Sequence, residues 1–467
     1  MRNVSFEKYV VLYLPWFIAW LLKDNSQTSY FIAWIGSFFI FYVSLSGKIK
    51  PLPADMPLTT QLMRPIFLAQ VIFAGYMCCS SIFYYCSVLG YEDFHAPNEY
   101  YLVDNAKLML TAQCQRYYCL GHAAFATGLL VFMQYPVQQK YYFDRSDPAN
   151  FLLLTAISTL PVALLFNYIP GLSQFYYQLN SLSFIAGTLA LAFAIPQQKL
   201  WNTLMCATLY AFNFYHAFVS GFKEPIIISV LVLGVFLYPT YKRVVIITFL
   251  PLLLTLFMLL PAYNRAFRQM AWTEEINVDD ASKSALDATL NSQNDDDGNW
   301  TFFTYRLSEI EMFTKYVRST PTKIDFYGTQ LLRQSAQAIV PRVMWPAKPV
   351  TENLVMQRVY DAGVVYKGSN VSAKPAFIAD AYLSGGGIAV FIALFLYGAT
   401  AQLIALKAEK LFGGYLLGTA LIFSGLFQVF WRGLSFEFLI NSVFWSYITM
   451  LLLFKLFTTI GVLRRVE

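Results

Sequence analysis

About twelve runs of apolar residues recur along this chain, each roughly 17–25 residues long, the length an α-helix needs to cross a bilayer. They fall near 7–22, 29–46, 66–90, 108–134, 150–168, 176–195, 201–219, 223–239, 243–261, 386–406, 412–430 and 437–460; the first is short and carries Pro15. Of the 467 residues 57% are hydrophobic and only 13% charged. Soluble domains carry about 25% charged residues, so the sequence reads as an all-α, polytopic helical membrane protein.

The cations then set an orientation. Alternate connections hold Arg2 and Lys8; Lys48, Lys50 and Arg64; Lys140 and Arg145; Lys199; Lys242 and Arg243; Lys407 and Lys410; and Arg464 and Arg465. The intervening connections hold only Lys23, Lys107, Lys223 and Arg432, apart from one long loop. The positive-inside rule therefore places both termini in the cytoplasm. The net charge of +6 reports this asymmetry and no nucleic-acid partner.

Three regions follow: an N-terminal bundle of about nine helices over 1–261, a large extracytoplasmic loop over 262–385, and about three C-terminal helices over 386–467. Long loops translocate regardless of charge, so this loop's cations do not disturb the orientation. Its first third, 272–300, is acidic and reads as a solvated, mobile segment. Within it "NDDDG" (294–298) lacks the alternating acids of a calcium loop. Beyond it, apolar residues at 302, 303, 307, 310, 313 and 317 have helical spacing, and 326–340 is a second amphipathic candidate.

The six cysteines form no C-x-x-C pair, and His95, His122 and His216 are scattered, so neither a disulfide framework nor a metal site is expected. The first apolar run lacks a small-x-small cleavage site, and no cleavable signal peptide is expected.

Charges at or inside the bilayer are the informative residues in such a chain. Lys223 and Glu224 open the eighth run with Pro225 in its first turn, which suits either an outer-face anion site or a snorkelling lysine beside a helix-favourable acid. Arg432 and Glu437 flank the last outer turn, as functional groups or as a surface pair capping the connection. Arg116, near Gln113, Gln115 and His122, is either a functional intramembrane cation or the anchor of a helix–helix hydrogen bond. His216, one turn before the outer end of its run, reads as a hydrogen-bonded packing residue. Asp380 precedes "SGGG" (384–387), a tight entry to the tenth run.

The least membrane-like stretch is "AIVPRVMWPAKPV" (338–350). Trp345 suits the headgroup level, and Pro341, Pro346 and Pro349 stiffen the backbone that carries Arg342 and Lys348. Such a pair fits a lipid-borne phosphate or pyrophosphate, or a loop lying on anionic lipid.

The order "YRLSE" (305–309), "DFYG" (325–328) and "IVPRVMWPAKP" (339–349), continued by "AKPAFIADAYLSGGGIAVFIALFLYG" (373–398), resembles the bacterial O-antigen and capsule repeat-unit polymerases, the Wzy family. "SGFKEPIIISVLVLG" is similar to that family's Gly-(x)-Arg entry, with Lys223 where arginine is expected. The likeness covers roughly residues 200–455. It implies an enzyme of the bacterial inner membrane that joins polyprenyl-pyrophosphate-linked oligosaccharide repeat units at the outer leaflet. No metal or other cofactor is expected, and a chain-length regulator is a possible partner. The implied pyrophosphate-binding cations are Arg342, Lys348, Lys223 and Arg432, with Arg306 and Arg116 beside them. Arg342 also acts on the leaving group, and Glu224, Asp380 and Glu437 are the candidate bases. A glycan ligase and a lipid-linked oligosaccharide flippase or exporter are the rival readings.

Overall fold

The computed structural model describes residues 6–144, 147–169, 173–219, 223–270, 278–291, 296–305, 307–368 and 373–466. Helix dominates: α1 (Leu14–Leu21), α2 (Ser26–Leu45), α3 (Asn105–Phe132), α4 (Pro148–Tyr168), α5 (Ser173–Ala194), α6 (Leu200–Val219), α7 (Lys223–Arg268), α8 (Val278–Asn291), α9 (Asp296–Tyr305), α10 (Ile310–Ser319), α11 (Gln330–Ile339), α12 (Thr351–Asp361), α13 (Phe377–Leu411) and α14 (Phe436–Thr459). Among the described residues, six helices are long and apolar enough to cross a membrane: Ser26–Leu45, Leu68–Val88, Pro148–Phe166, Pro225–Leu260, Phe377–Leu411 and Phe436–Thr459. The expected run at 412–430 is shorter and irregular, a π-helical stretch Leu416–Phe423 followed by two brief turns.

Helix starts follow from capping chemistry. Asn25 accepts from the Thr28 amide, Asp104 from Ala106 and Lys107, and Asp147 from Ala149 and Asn150 ahead of Pro148. Each side chain satisfies amides that have no partner inside the helix, worth about 1 kcal/mol. The long helices α3 and α13 pack backbone to backbone. A Cβ on Gly128 would strike the Phe395 carbonyl oxygen, and one on Gly398 the carbonyl of Phe125, so both positions require glycine. Helix α7 folds back on itself at Tyr241, whose φ −121 and ψ 45 leave the helical region. The fold-back brings Phe249 to 3.1 Å from where a Cβ on Gly234 would sit, although a straight helix would separate these residues by roughly 22 Å. At the opposite end from the long loop, Tyr141–Phe143 pairs antiparallel with Leu463–Arg465, and Arg464 meets Asp144 at 2.7 Å.

Three helices outreach their neighbours. Arg116, Gly387 and Trp445 lie about three turns, roughly 15 Å, inside α3, α13 and α14. Yet Trp445 packs on Phe175 at the very start of α5, and Arg116 and Gly387 share a cavity with Lys23 just past the end of α1. The first turns of α3, α13 and α14 therefore project beyond the shorter helices, and the long loop packs on them. Tyr118 donates to the Ser308 carbonyl at 3.0 Å and Tyr382 to that of Thr320 at 2.9 Å.

The loop differs from expectation in four ways. The preceding helix continues to Arg268 rather than stopping at 261. The amphipathic run near 302–317 is split, with Glu309 in the left-handed region (φ 54) between α9 and α10. The second amphipathic helix begins at Gln330, after a turn at Gly328–Thr329 closed by the Gln330 amide on the Tyr327 carbonyl. Finally, the acidic segment is no solvated linker where it is described: residues 278–291 form α8. Ala281 and Ala285 are fully buried against a cluster with Leu260, Tyr263 and Phe267 of α7, and the Tyr263 and Ser282 hydroxyls lie 2.9 Å apart. Deleting 278–291 is therefore expected to lower the unfolding temperature of the detergent-solubilised protein, because it uncovers that apolar face. An unchanged melt would restore the reading as a linker.

Candidate functional site

The projecting end is held together by one buried arginine. Arg358 sits on α12 among Val355, Met356 and Val359, so it enters the core with that helix's apolar stripe. Its Nε and Nη2 donate to Asp380 Oδ1 and Oδ2 at 2.9 and 2.8 Å, and its Nη1 and Nη2 to Glu437 Oε1 and Oε2 at 2.9 and 2.7 Å. The Phe436 amide adds a bond of 2.9 Å to Asp380. Arg358 is 2% exposed and both carboxylates 0%. Burial works against the guanidinium's charge, but the two carboxylates outweigh it and raise its pKa. Each carboxylate lies in the first turn of its helix, where the helix dipole favours negative charge and helps balance two acids against one base.

This placement corrects two expectations. Asp380 and Glu437 are not free bases at a substrate face; both are sealed into a structural ion cluster. Glu437 pairs with Arg358 rather than capping a surface turn with Arg432, which is exposed. Asp380 does not precede its helix either. Helix α13 starts at Phe377, and "SGGG" forms a break inside it, where Gly386 (φ 66, ψ −148) adopts a conformation open to glycine.

A second cluster of the same composition closes the other end of α13. Arg64 donates to Asp55 (2.7 and 2.7 Å) and Glu409 (3.0 and 3.0 Å) and stacks on Tyr135 at 3.7 Å. Helix α13 thus carries one member of each cluster, Asp380 near its start and Glu409 near its end.

Beside the break in α13 lies a cavity of about 750 Å³, bounded by α1, α3 and α13. Its polar lining is Lys23, Gln113 and Arg116; its aromatic lining is Tyr13, Trp16, Trp20, Tyr117 and Phe391. Arg116 Nη1 donates to Ser29 Oγ at 2.8 Å, and Ser29 in turn donates to the Ala19 carbonyl at 2.7 Å. The arginine is therefore the helix–helix anchor that one reading expected. Its remaining N–H groups have no partner among the described residues, so it also brings charge to the cavity. The half-helix that follows the break borders the same cavity through Gly387 and Ile388. Such a lining can hold a phosphate-bearing group and pack aromatic faces against a ring.

The stretch 338–350 is a clamped double turn. Helix α11 ends at Ile339, leaving its last carbonyls without helical partners. Lys348 Nζ donates to the carbonyls of Ala338 (2.6 Å) and Val340 (2.8 Å), and Trp445 Nε1 to that of Ile339 (2.9 Å). Burial, and then the nearby charge of Arg342, lowers the Lys348 pKa. Lys348 is thus a helix cap and not a free phosphate ligand, which corrects its expected role. Arg342 stands exposed on the first turn, with no hydrogen bond or ion pair among the described residues. The result is a single cation on a fixed backbone.

His216 packs edge-on against Phe212, with ring centres 4.3 Å apart. Arg306 and the side chains of Lys223 and Glu224 lie outside the described residues. Among the described residues no three His, Cys, Asp or Glu side chains gather as metal ligands would. Sequence reasoning missed Arg358, the centre of the cluster; the available signal was an arginine on the apolar stripe of "TENLVMQRVYD".

No curated protein and no solved structure matches this chain. The sequence pattern of one family spans residues 14–465, so it takes in both ion clusters, the clamped turn and the cavity lining apart from Tyr13, and the chain belongs to that family, a domain of unknown function (DUF8712).

Proposed function

We propose that this chain is a membrane glycosyltransferase that polymerises polyprenyl-pyrophosphate-linked oligosaccharide repeat units at the outer face of the cytoplasmic membrane. In this reading about twelve crossings put both termini in the cytoplasm and the loop outside. The observation that carries it is the cavity with Arg116, Lys23, Trp16, Trp20 and Tyr117, at the end of the bundle on which the loop with the polymerase-like motifs packs. Fixed cations suit a pyrophosphate that gains charge as the anomeric bond breaks, and indole and phenol faces suit sugar rings.

Lys23 at the end of α1 and Trp445 beside the clamped turn fit the headgroup level, where a lipid-borne pyrophosphate resides. Arg116, Lys23 and Arg342 are then the substrate-facing cations. Asp380 and Glu437 hold the scaffold through Arg358.

Disruption of the gene tests the function: cells are expected to make glycans of single repeat units, and normal long polymer would sink the proposal. Arg116→Gln tests the cavity. It is expected to lower polymer formation in vesicles carrying lipid-linked repeat units by on the order of tenfold or more, the effect of one lost charge-assisted hydrogen bond. An unaltered rate would remove this cavity from the reaction.

A further inference from the structure

A second and larger cavity, about 1600 Å³, lies at the opposite end of the same face. It is lined by Lys8, Tyr9, Gln134, Lys50 (whose ammonium caps the carbonyls of Leu130 and Val131), Asp55 (whose carboxylate is held by Arg64) and a wide apolar wall that includes Phe395. Tyr13 and Phe391 line both cavities. The two spaces therefore adjoin at these two side chains and together form a groove along residues 6–23, α3 and α13. The barrier is slight: the Tyr13 hydroxyl donates to Thr127 Oγ1 at 3.0 Å, and its ring packs on Phe391 at 5.7 Å between centres. Tyr13 also ends a 3-10 turn, Val11–Tyr13, that interrupts the helix just before α1. Hydrogen-bonding side chains line the groove from end to end: Lys23, Arg116, Tyr13, Thr127, Gln134 and Lys8.

We propose that this groove is a path along which the phosphate headgroup of a lipid passes between the two faces of the membrane, its tails remaining outside in the bilayer. A bare phosphate in hydrocarbon is prohibitively costly, whereas a groove with cations at each mouth and polar groups between them replaces much of the lost hydration. The apolar walls suit the first methylenes of the tails. Tyr13 is the gate. Opening it costs one neutral hydrogen bond, and Thr127 keeps its own bond to the Ala123 carbonyl at 2.7 Å, so no buried hydroxyl is orphaned. The ligand is a lipid phosphate ester, from either a phospholipid or a polyprenyl phosphate. This inference does not depend on the glycan chemistry proposed above.

The test uses the full-length protein in phosphatidylcholine vesicles holding fluorescent NBD-phosphatidylglycerol in both leaflets, with dithionite bleaching from outside. The protected inner label is expected to become accessible, roughly tenfold more slowly in Lys8→Gln, which removes one charged contact at the inner mouth. Tyr13→Phe, which keeps the ring and removes the gate's hydrogen bond, is expected to be faster than wild type. Unlabelled polyprenyl phosphate at low mole fraction distinguishes the sources: slowing marks the isoprenoid carrier as the preferred lipid, and no effect marks the phospholipid. Bleaching no faster than in protein-free vesicles would overturn the proposal, as would a Tyr13→Phe rate below that of wild type. Equal transfer of NBD-glucosylceramide, which has no phosphate, would overturn the assignment of the headgroup. The assay contains no glycan donor, so failure to polymerise cannot be mistaken for failure here.

Discussion

Arg358→Ala is expected to prevent recovery of folded protein from the membrane, or to lower its unfolding temperature more than any other single change proposed for this chain. Removing the guanidinium leaves Asp380 and Glu437 facing each other at 0% exposure with no counter-charge. Breaking a buried pair by deleting one partner typically costs about 3–5 kcal/mol, and here one deletion strands two acids. Arg358→Lys should rescue little, since an ammonium cannot offer parallel N–H pairs to two carboxylates at once. The decisive comparison is the triple variant Arg358→Met, Asp380→Asn, Glu437→Gln. If stranded charge is the cause, the triple variant should be more stable than Arg358→Ala alone. If Arg358→Ala melts like wild type, the cluster is not what joins α12, α13 and α14.

The clusters at both ends of α13 explain why its break is tolerable. Asp380 and Glu409 are each pinned by a buried arginine, so the helix is fixed at both ends while Gly386 lets it change direction between them. Ser384 Oγ donates to the Asp380 carbonyl at 2.9 Å and satisfies a backbone group near the break. Broken membrane helices recur where a ligand must approach backbone amides, and here the half-helix that follows the break borders the cavity that holds Arg116.

What the sequence made legible follows from physics that is local. Apolar length and periodicity located most of the helical segments, including both legs of α7, but among the described residues six helices rather than about twelve are long and apolar enough to cross a membrane. The ends of α13 were harder to place, because Phe377–Leu411 continues past the expected run at 386–406 into a projecting region that tertiary packing stabilises, whereas α14 (Phe436–Thr459) matches its run at 437–460 to within a residue. The acidic composition around 278–291 concealed a packing face made of small residues, Ala281 and Ala285, which a hydrophobic pattern does not register. Charged residues were misjudged in one direction. Asp380, Glu437 and Lys348 were read as facing substrate, whereas each is consumed by a partner that spacing cannot reveal. For the acids that partner is an arginine distant in sequence; for the lysine it is the carbonyls of Ala338 and Val340 at a helix end. Arg116 was legible as the anchor of a helix–helix hydrogen bond, because an arginine in an apolar helix must find hydrogen-bond partners.

Arg342→Ala is expected to reduce long polymer by on the order of a hundredfold or more without changing the amount of protein in the membrane, on the proposed glycan chemistry. The clamped turn sharpens this expectation. Lys348 and Trp445 cap the end of α11, and Pro341 and Pro346 restrict the backbone on either side, so Arg342 is held with little entropy left to lose on meeting a phosphate. Its side chain makes no hydrogen bond or ion pair among the described residues, so its removal should leave the fold intact. Lys348→Ala should act differently: it frees the carbonyls of Ala338 and Val340, loosens the turn and lowers stability and activity together. Arg342→Lys separates catalysis from lipid anchoring. A leaving pyrophosphate gripped by a forked pair of N–H bonds is lost with lysine, whereas anionic headgroups attract either cation about equally. A chain-length ladder from Arg342→Lys beside wild type reads the difference: collapse to short products places Arg342 on the pyrophosphate, and a normal ladder leaves it holding the loop to the lipid surface.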